Sequence, residues 1–163
     1  MNTRFSALRR RSRIKALGFS LVELVVTMSI LAILAAIAIP SYSTYLLKSH
    51  RTDAQTALLD MASMEERYFS TNNTYSSTPS DLGYTGPVSF SIGSGYYQIT
   101  AITVVPATAP SGLNNGTPAT YSITAAAIGS QTKDVCSTFT VNSAGQQTAT
   151  GSDPNPNVDC WQR

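Results

Sequence analysis

The chain has 163 residues, 42% hydrophobic and 12% charged, which fits one domain, or one small domain with an appendage, and excludes disorder over most of it. No period of 20–50 residues recurs, which excludes a solenoid. The net charge of +2 conceals an asymmetry: residues 1–18 carry Arg4, Arg9, Arg10, Arg11, Arg13 and Lys15 and no acid, whereas residues 19–163 carry five bases against nine acids, a net of −4, so overall basicity is no argument for a polyanionic partner.

Residues 19–39 read FSLVELVVTMSILAILAAIAI, 21 residues with one charge, Glu23. At about 1.5 Å per residue this run spans roughly 31 Å, the thickness of a bilayer's hydrocarbon core. The basic block precedes the run and none follows, so the positive-inside rule leaves residues 1–18 in the cytoplasm and carries the C-terminal bulk across the membrane. A core helix of a soluble protein is a poor fit, because the run is apolar on every face. A cleaved secretory signal has in its favour the A-x-A pattern Ala36-Ile37-Ala38. Against it stand a run longer than the usual 7–15 residues and the carboxylate inside it. A plain membrane anchor explains the length but not Glu23, since a charge at the centre of a membrane helix costs about 2.5–3.5 kcal/mol on insertion scales, less near the interface.

Pro40 closes the apolar run, and inside a helix it predicts a kink. Residues 41–69 contain no Gly or Pro. Tyr42, Tyr45, Leu46, Ala54, Ala57, Leu58, Met61 and Tyr68 recur at three- and four-residue steps, while Lys48, Arg51, Asp53, Asp60, Glu66 and Arg67 fall mostly off that stripe. The pattern predicts one kinked helix over about 19–70, roughly 78 Å long. His50, the sole histidine, reads as part of its solvated face.

Beyond Ser70 the composition turns to Thr, Ser, Asn, Gly and Pro. Residues 72–95 read as loop, punctuated by Pro79, Gly83, Gly86, Pro87 and Gly93. Strands are predicted over 96–105, 121–127 and 135–141, and a hairpin turn over 142–145 leads into a fourth over 146–150. Residues 106–118 read as a Pro/Gly/Asn loop. Short sequential strands suggest an antiparallel meander whose apolar face and the amphipathic helix cover each other, an α+β fold.

The segment Gly18-Phe19-Ser20-Leu21-Val22-Glu23-Leu24, after a basic leader and before the apolar run, resembles the processing site of a type IV prepilin. The resemblance implies the type IV pilin fold, a long kinked N-terminal helix on a small antiparallel sheet. It implies cleavage after Gly18 by a prepilin peptidase, N-methylation of the new terminus at Phe19, and an assembly role for Glu23. Physics agrees with those roles: Gly18 lets a protease approach the backbone, and the amine created at Phe19 is a natural counter-charge for Glu23 in an apolar setting. The implied organisation is a removed leader (1–18), a transmembrane and polymerisation half of the helix (19–40), its amphipathic half (41–70) and a globular head (71–163). The implied partners are other pilin subunits, the prepilin peptidase, the inner-membrane assembly platform and the lipid bilayer, with residence in the inner membrane before assembly and in an extracellular pilus afterwards. The family often has a glycine within the apolar run; here Ala32, Ala35, Ala36 and Ala38 stand there without one, and Pro40 alone supports local melting.

Four stretches resemble a minor-pilin branch that includes DNA-uptake pilins: 66–75 (ERYFSTNNTY), Gly129-Ser130-Gln131, 138–145 (TFTVNSAG) and Cys160-Trp161. The pilin resemblance implies a structural subunit of a pilus, with roles in adhesion, twitching motility or DNA uptake. A DNA receptor for natural transformation and a pseudopilin of a type II secretion system are the alternatives.

Cys136 and Cys160 are the only cysteines. The topology places both outside the cytoplasm, where disulfides persist, and their pairing is expected to clasp a polar loop of about 25 residues, contributing about 3.5 kcal/mol on chain-entropy arithmetic. This arrangement also counts against the pseudopilin reading, whose family commonly relies on a calcium site in the head. No cofactor and no catalytic site are expected: one histidine gives too few ligands for a zinc centre and no triad. Asp134, Asp153, Asp159, Asn155 and Asn157 are oxygen donors of the type calcium takes, but without EF-hand spacing they read as turn chemistry. For DNA the segment after Ser70 offers Lys133 and Arg163, with Trp161 beside the latter, a thin footprint for phosphate binding.

Overall fold

The computed structural model describes residues 18–108 and 116–162. Two compact units divide between Pro40 and Ser41. The helix α1 is assigned over Leu21–Asn72 with Pro40 inside it. In the first unit its apolar side chains are exposed on every face, from Leu21 and Val22 through Leu31 and Leu34 to Ile39. Hydroxyls in this stretch fold back on the preceding turn: Thr27 Oγ1 donates to the Leu24 carbonyl (2.9 Å) and Ser29 Oγ to that of Val25 (2.8 Å). These two hydroxyls are thereby satisfied within the helix, as a segment placed in hydrocarbon requires. By length and composition α1 can cross a membrane.

The second unit is a five-stranded antiparallel meander with the rest of α1 on one face. Its strands are β1 (Ser91–Ile92), β2 (Tyr97–Val105), β3 (Thr120–Ala127), β4 (Cys136–Asn142) and β5 (Gln147–Gly151), paired in chain order. The four predicted strands are present within a residue or two of their expected limits. The loop expected over 72–95 instead holds a 3₁₀ turn, Pro79–Leu82, and the short strand β1, and the C-terminal loop holds one helical turn, α2 (Pro156–Asp159). These pieces are too short to leave a periodic signal.

Inward residues alternate along the strands, but a bulge at Thr100 shifts β2 so that Tyr97, Ile99 and then Ile102 face the core. A second shift, at Ser137, lets Cys136, Phe139 and Val141 share one face. Tyr121, Ile123 and Ala125 of β3 and Ala149 of β5 complete it, and Ala54, Leu58 and Met61 cover it from α1. The outer face is uncharged, with hydroxyl pairs Thr124–Thr140 (3.0 Å) and Thr138–Thr150 (2.6 Å) across neighbouring strands.

The buried stripe of α1 differs from the expected one at its start. Tyr42 and Tyr45 are exposed, and the covered face runs through Arg51, Ala54, Gln55, Leu58, Met61 and Glu65. Three of those six are polar, so a search for apolar residues alone misplaces the face.

Two glycines permit close approaches. Gly93, at φ 53°, turns β1 into β2 directly over α1, where a Cβ would stand 2.8 Å from that of Asp53. Ser94 Oγ donates to Asp53 Oδ2 beside it (2.5 Å). Gly151 ends β5 where a Cβ would stand 1.9 Å from the carbonyl oxygen of Val135, which also accepts the Ser152 amide (2.9 Å). Because that clash is with backbone, Gly151→Ala is expected to destabilise the protein by about 2 kcal/mol or more. The check is a lowered denaturant midpoint for the detergent-solubilised chain; a midpoint equal to the parent's contradicts this packing.

Candidate functional site

Gly18 and Phe19 lie exposed just ahead of α1, and Glu23 is exposed in its first turn. Among the described residues, none before Arg51 is buried. The chain therefore presents a helix with apolar flanks on all sides, followed by a head whose core is closed by its own residues.

What holds the head to its part of α1 is a polar clasp. Arg51 donates from Nε to Asp134 Oδ2 (2.7 Å) and from its second nitrogen to Oδ1, a bidentate pair buried on both sides. The hydrogen bonds to Asp134 raise the Arg51 pKa further above its ordinary value, against the effect of burial. Gln131, wholly buried, places Nε2 within 3.0–3.1 Å of the Leu47 carbonyl, Tyr97 Oη and Asp134 Oδ2. Its Oε1 faces His50 Nδ1 at 2.9 Å, and the His50 ring stacks on Tyr96 at 3.5 Å. Burial pushes the Tyr97 hydroxyl up to about 12. Gln55 Nε2 donates to the Cys160 carbonyl (2.8 Å) and carries the clasp to the disulfide.

Cys136 and Cys160 are bonded, as their expected compartment suggests, with Cα atoms 5.8 Å apart and both residues buried. Arg51 lies on the covered face rather than off it, and His50 is not on a solvated face. Arg51 is buried because Asp134 neutralises it, and His50 is half-buried because Gln131 and Tyr96 take its edge and its face. Gln131, Asp134, Gln55 and Glu65 are the members that apolar patterning missed. The steps from Arg51 to Gln55, Leu58, Met61 and Glu65 are helical, so the stripe was there to be found once polar residues were admitted to it.

The expected oxygen donors are engaged separately. Asp134 holds Arg51, Asp153 Oδ1 accepts the Asn155 amide (2.9 Å), and Asn157 Oδ1 accepts the Ala149 amide (2.8 Å). Among the described residues, no group of three or more His, Cys, Asp or Glu is placed to hold a metal. Of the expected DNA patch, Lys133 is exposed in the turn before Asp134, and Arg163 lies outside the described residues. Trp161 packs edge-on against Phe139 and donates from Nε1 to the Thr148 carbonyl (2.9 Å), so it serves the sheet. A groove of about 460 Å³ between α1 and the C-terminal loop is lined by Lys48 and Arg51 but also by Asp153 and Asp159. Its mixed charge favours neither anions nor cations.

Glu65 is wholly buried at the far end of the covered helix face. Oε2 accepts the Ser76 amide (3.0 Å), whereas Oε1 has no hydrogen-bond partner among the described residues. Burial raises its pKa; the Ser76 amide opposes this, and Glu66 and Asp81 add to it. In the window from the ordinary value of 4.5 up to the raised one, the folded chain keeps a proton the unfolded chain has lost. Stability is therefore full below that window and falls as pH rises through it. Glu65→Gln is expected to flatten this part of the pH–stability curve and to be at least as stable as the parent at neutral pH. Denaturant midpoints measured from acid to neutral pH check it, and an unchanged slope contradicts the assignment.

The sequence model of the family described as type IV minor pilin ComP, DNA uptake sequence receptor, matches residues 40–140, more than half the chain. That of the prokaryotic N-terminal methylation motif matches residues 13–39. The type IV major pilin protein PilA of Myxococcus xanthus (strain DK1622) is 34% identical over 67 residues, which cover 41% of this chain and 30% of that protein. With an apolar N-terminal helix, an antiparallel head and a clasped C-terminal loop, the chain belongs to the ComP family of type IV minor pilins.

Proposed function

We propose that this pilin subunit is cut between Gly18 and Phe19, methylated at Phe19, held in the inner membrane by residues 19–40 and then drawn into a pilus through the same helix. The observation that carries the reading is that no described residue before Arg51 is buried, although residues 19–39 are almost wholly apolar. In lipid that surface is satisfied; outside lipid it needs the matching helices of other subunits. Removal of the leader takes away six positive charges and leaves one amine at Phe19, which Glu23 of the same or a neighbouring subunit pairs. Pro40 lacks a backbone donor and gives the helix a point at which to bend. A prepilin peptidase and an inner-membrane assembly platform are the partners this route requires.

Glu23→Ala is expected to leave a processed, membrane-inserted subunit that enters filaments at least tenfold less well. Immunoblots of sheared pili against membrane fractions measure this, and normal incorporation removes the charge-pairing role.

A second reading concerns DNA. The match over residues 40–140 is to a family described as a DNA uptake sequence receptor, and it supports DNA uptake rather than adhesion or twitching motility as the role to test first. The physics sets the terms. After Ser70 the cations are Lys133 and Arg163, and Arg51 is already committed to Asp134. With two or three phosphate contacts, log K against log salt is expected to have a slope of about −2 to −3. Titration of the detergent-solubilised chain with duplex DNA at several salt concentrations checks this. No binding at low salt ends the DNA reading, and a much steeper slope contradicts the small cationic footprint.

A further inference from the structure

The sheet has two edges, and they are protected differently. β1 is two residues long and closely backed by α1 at Gly93, so it offers little for another strand to pair with. β5 is the opposite edge, and its sequence Gln147-Thr148-Ala149-Thr150-Gly151 holds no charge and no proline. Those are the residues by which edge strands usually discourage pairing.

The protection of β5 comes from elsewhere in the chain. After Gly151 the chain reverses, the turn α2 packs along β5, and Asn157 Oδ1 accepts the Ala149 amide at 2.8 Å. A side-chain carbonyl thus stands where the carbonyl of a sixth strand would. Trp161 lies over Phe139 and donates to the Thr148 carbonyl (2.9 Å), fixing the segment to the same strand. The Cys136–Cys160 bond ties it to β4, and Gln55 of α1 holds the Cys160 carbonyl.

We propose that residues 152–162 are a built-in guard on β5, and that the edge they cover is a latent pairing surface for the β5 of a second copy of this chain. A second copy is the fitting occupant because the two strands would be identical and uncharged, with no like charges brought opposite each other. An antiparallel pair of identical edges also forms a self-complementary two-fold contact. Such a contact closes on itself and competes with open, head-to-tail growth, so a polymerising subunit gains from blocking it.

The test is amide hydrogen exchange by NMR on the full chain in detergent micelles, at low and high protein concentration, alongside the parent at the same concentrations. Asn157→Ala keeps the disulfide and removes only the surrogate acceptor; dithiothreitol opens the clasp. At low concentration the Ala149 amide is expected to exchange at least tenfold faster in Asn157→Ala, while the Ile123 amide in the sheet centre stays protected. At high concentration the variant is expected to regain protection at Ala149 and to self-associate beyond the parent. Reduction is expected to do the same more strongly, and Asn157→Ala decides the matter where reduction also exposes Ile123. Unchanged exchange at Ala149 in the variant overturns the guard. Faster exchange without concentration-dependent association overturns the latent interface.

Discussion

A helix that is apolar on every side cannot be left in water, and this constraint organises the molecule. At about 25 cal/mol per Å² of apolar surface, each large side chain among residues 19–39 contributes roughly 1.5–3 kcal/mol when it leaves water. Among the described residues none of this stretch is buried, and burial starts at Arg51. The surface is therefore reserved for lipid or for other helices. On the proposed route a pilin subunit has a use for both solvents, the face that anchors it before assembly being the face that packs afterwards.

The head meets a different constraint. It is small and rich in Thr and Ser, and its apolar core is one sheet face against Ala54, Leu58 and Met61 of the helix. Polar groups complete what apolar ones cannot. Arg51 with Asp134, Gln131 with Tyr97 and His50, and Gln55 with Cys160 join α1 to the sheet and to the C-terminal loop. A buried pair of this kind adds less stability than its geometry suggests, but losing one partner costs about 3–5 kcal/mol because the other charge is stranded. The clasp therefore fixes register: Arg51 can meet Asp134 in one position of helix on sheet.

Much of this was legible beforehand, and the exceptions have physical reasons. The long apolar helix, the N-terminal methylation motif, four of five strands and the disulfide rest on strong local signals: a long apolar run behind Gly18–Glu23, β-branched alternation, and two cysteines whose expected compartment is oxidising. Strand β1 and helix α2 were not legible because two and four residues carry no period. An apolar pattern draws Tyr42 and Tyr45 into the covered stripe and leaves out Arg51, Gln55 and Glu65, whereas the tyrosines are exposed and the polar three are buried. Their burial depends on partners remote in sequence, Asp134, the Cys160 carbonyl and the Ser76 amide, which helical periodicity alone cannot supply.

The route from membrane to filament requires that the apolar helix survive maturation. Mass spectrometry of intact subunits taken from sheared, assembled pili reads this directly. The account predicts a polypeptide that begins at Phe19, carries an N-methyl group and retains the whole of residues 19–39. A subunit that begins at Ile39, trimmed at the Ala36-Ile37-Ala38 pattern, would contradict it.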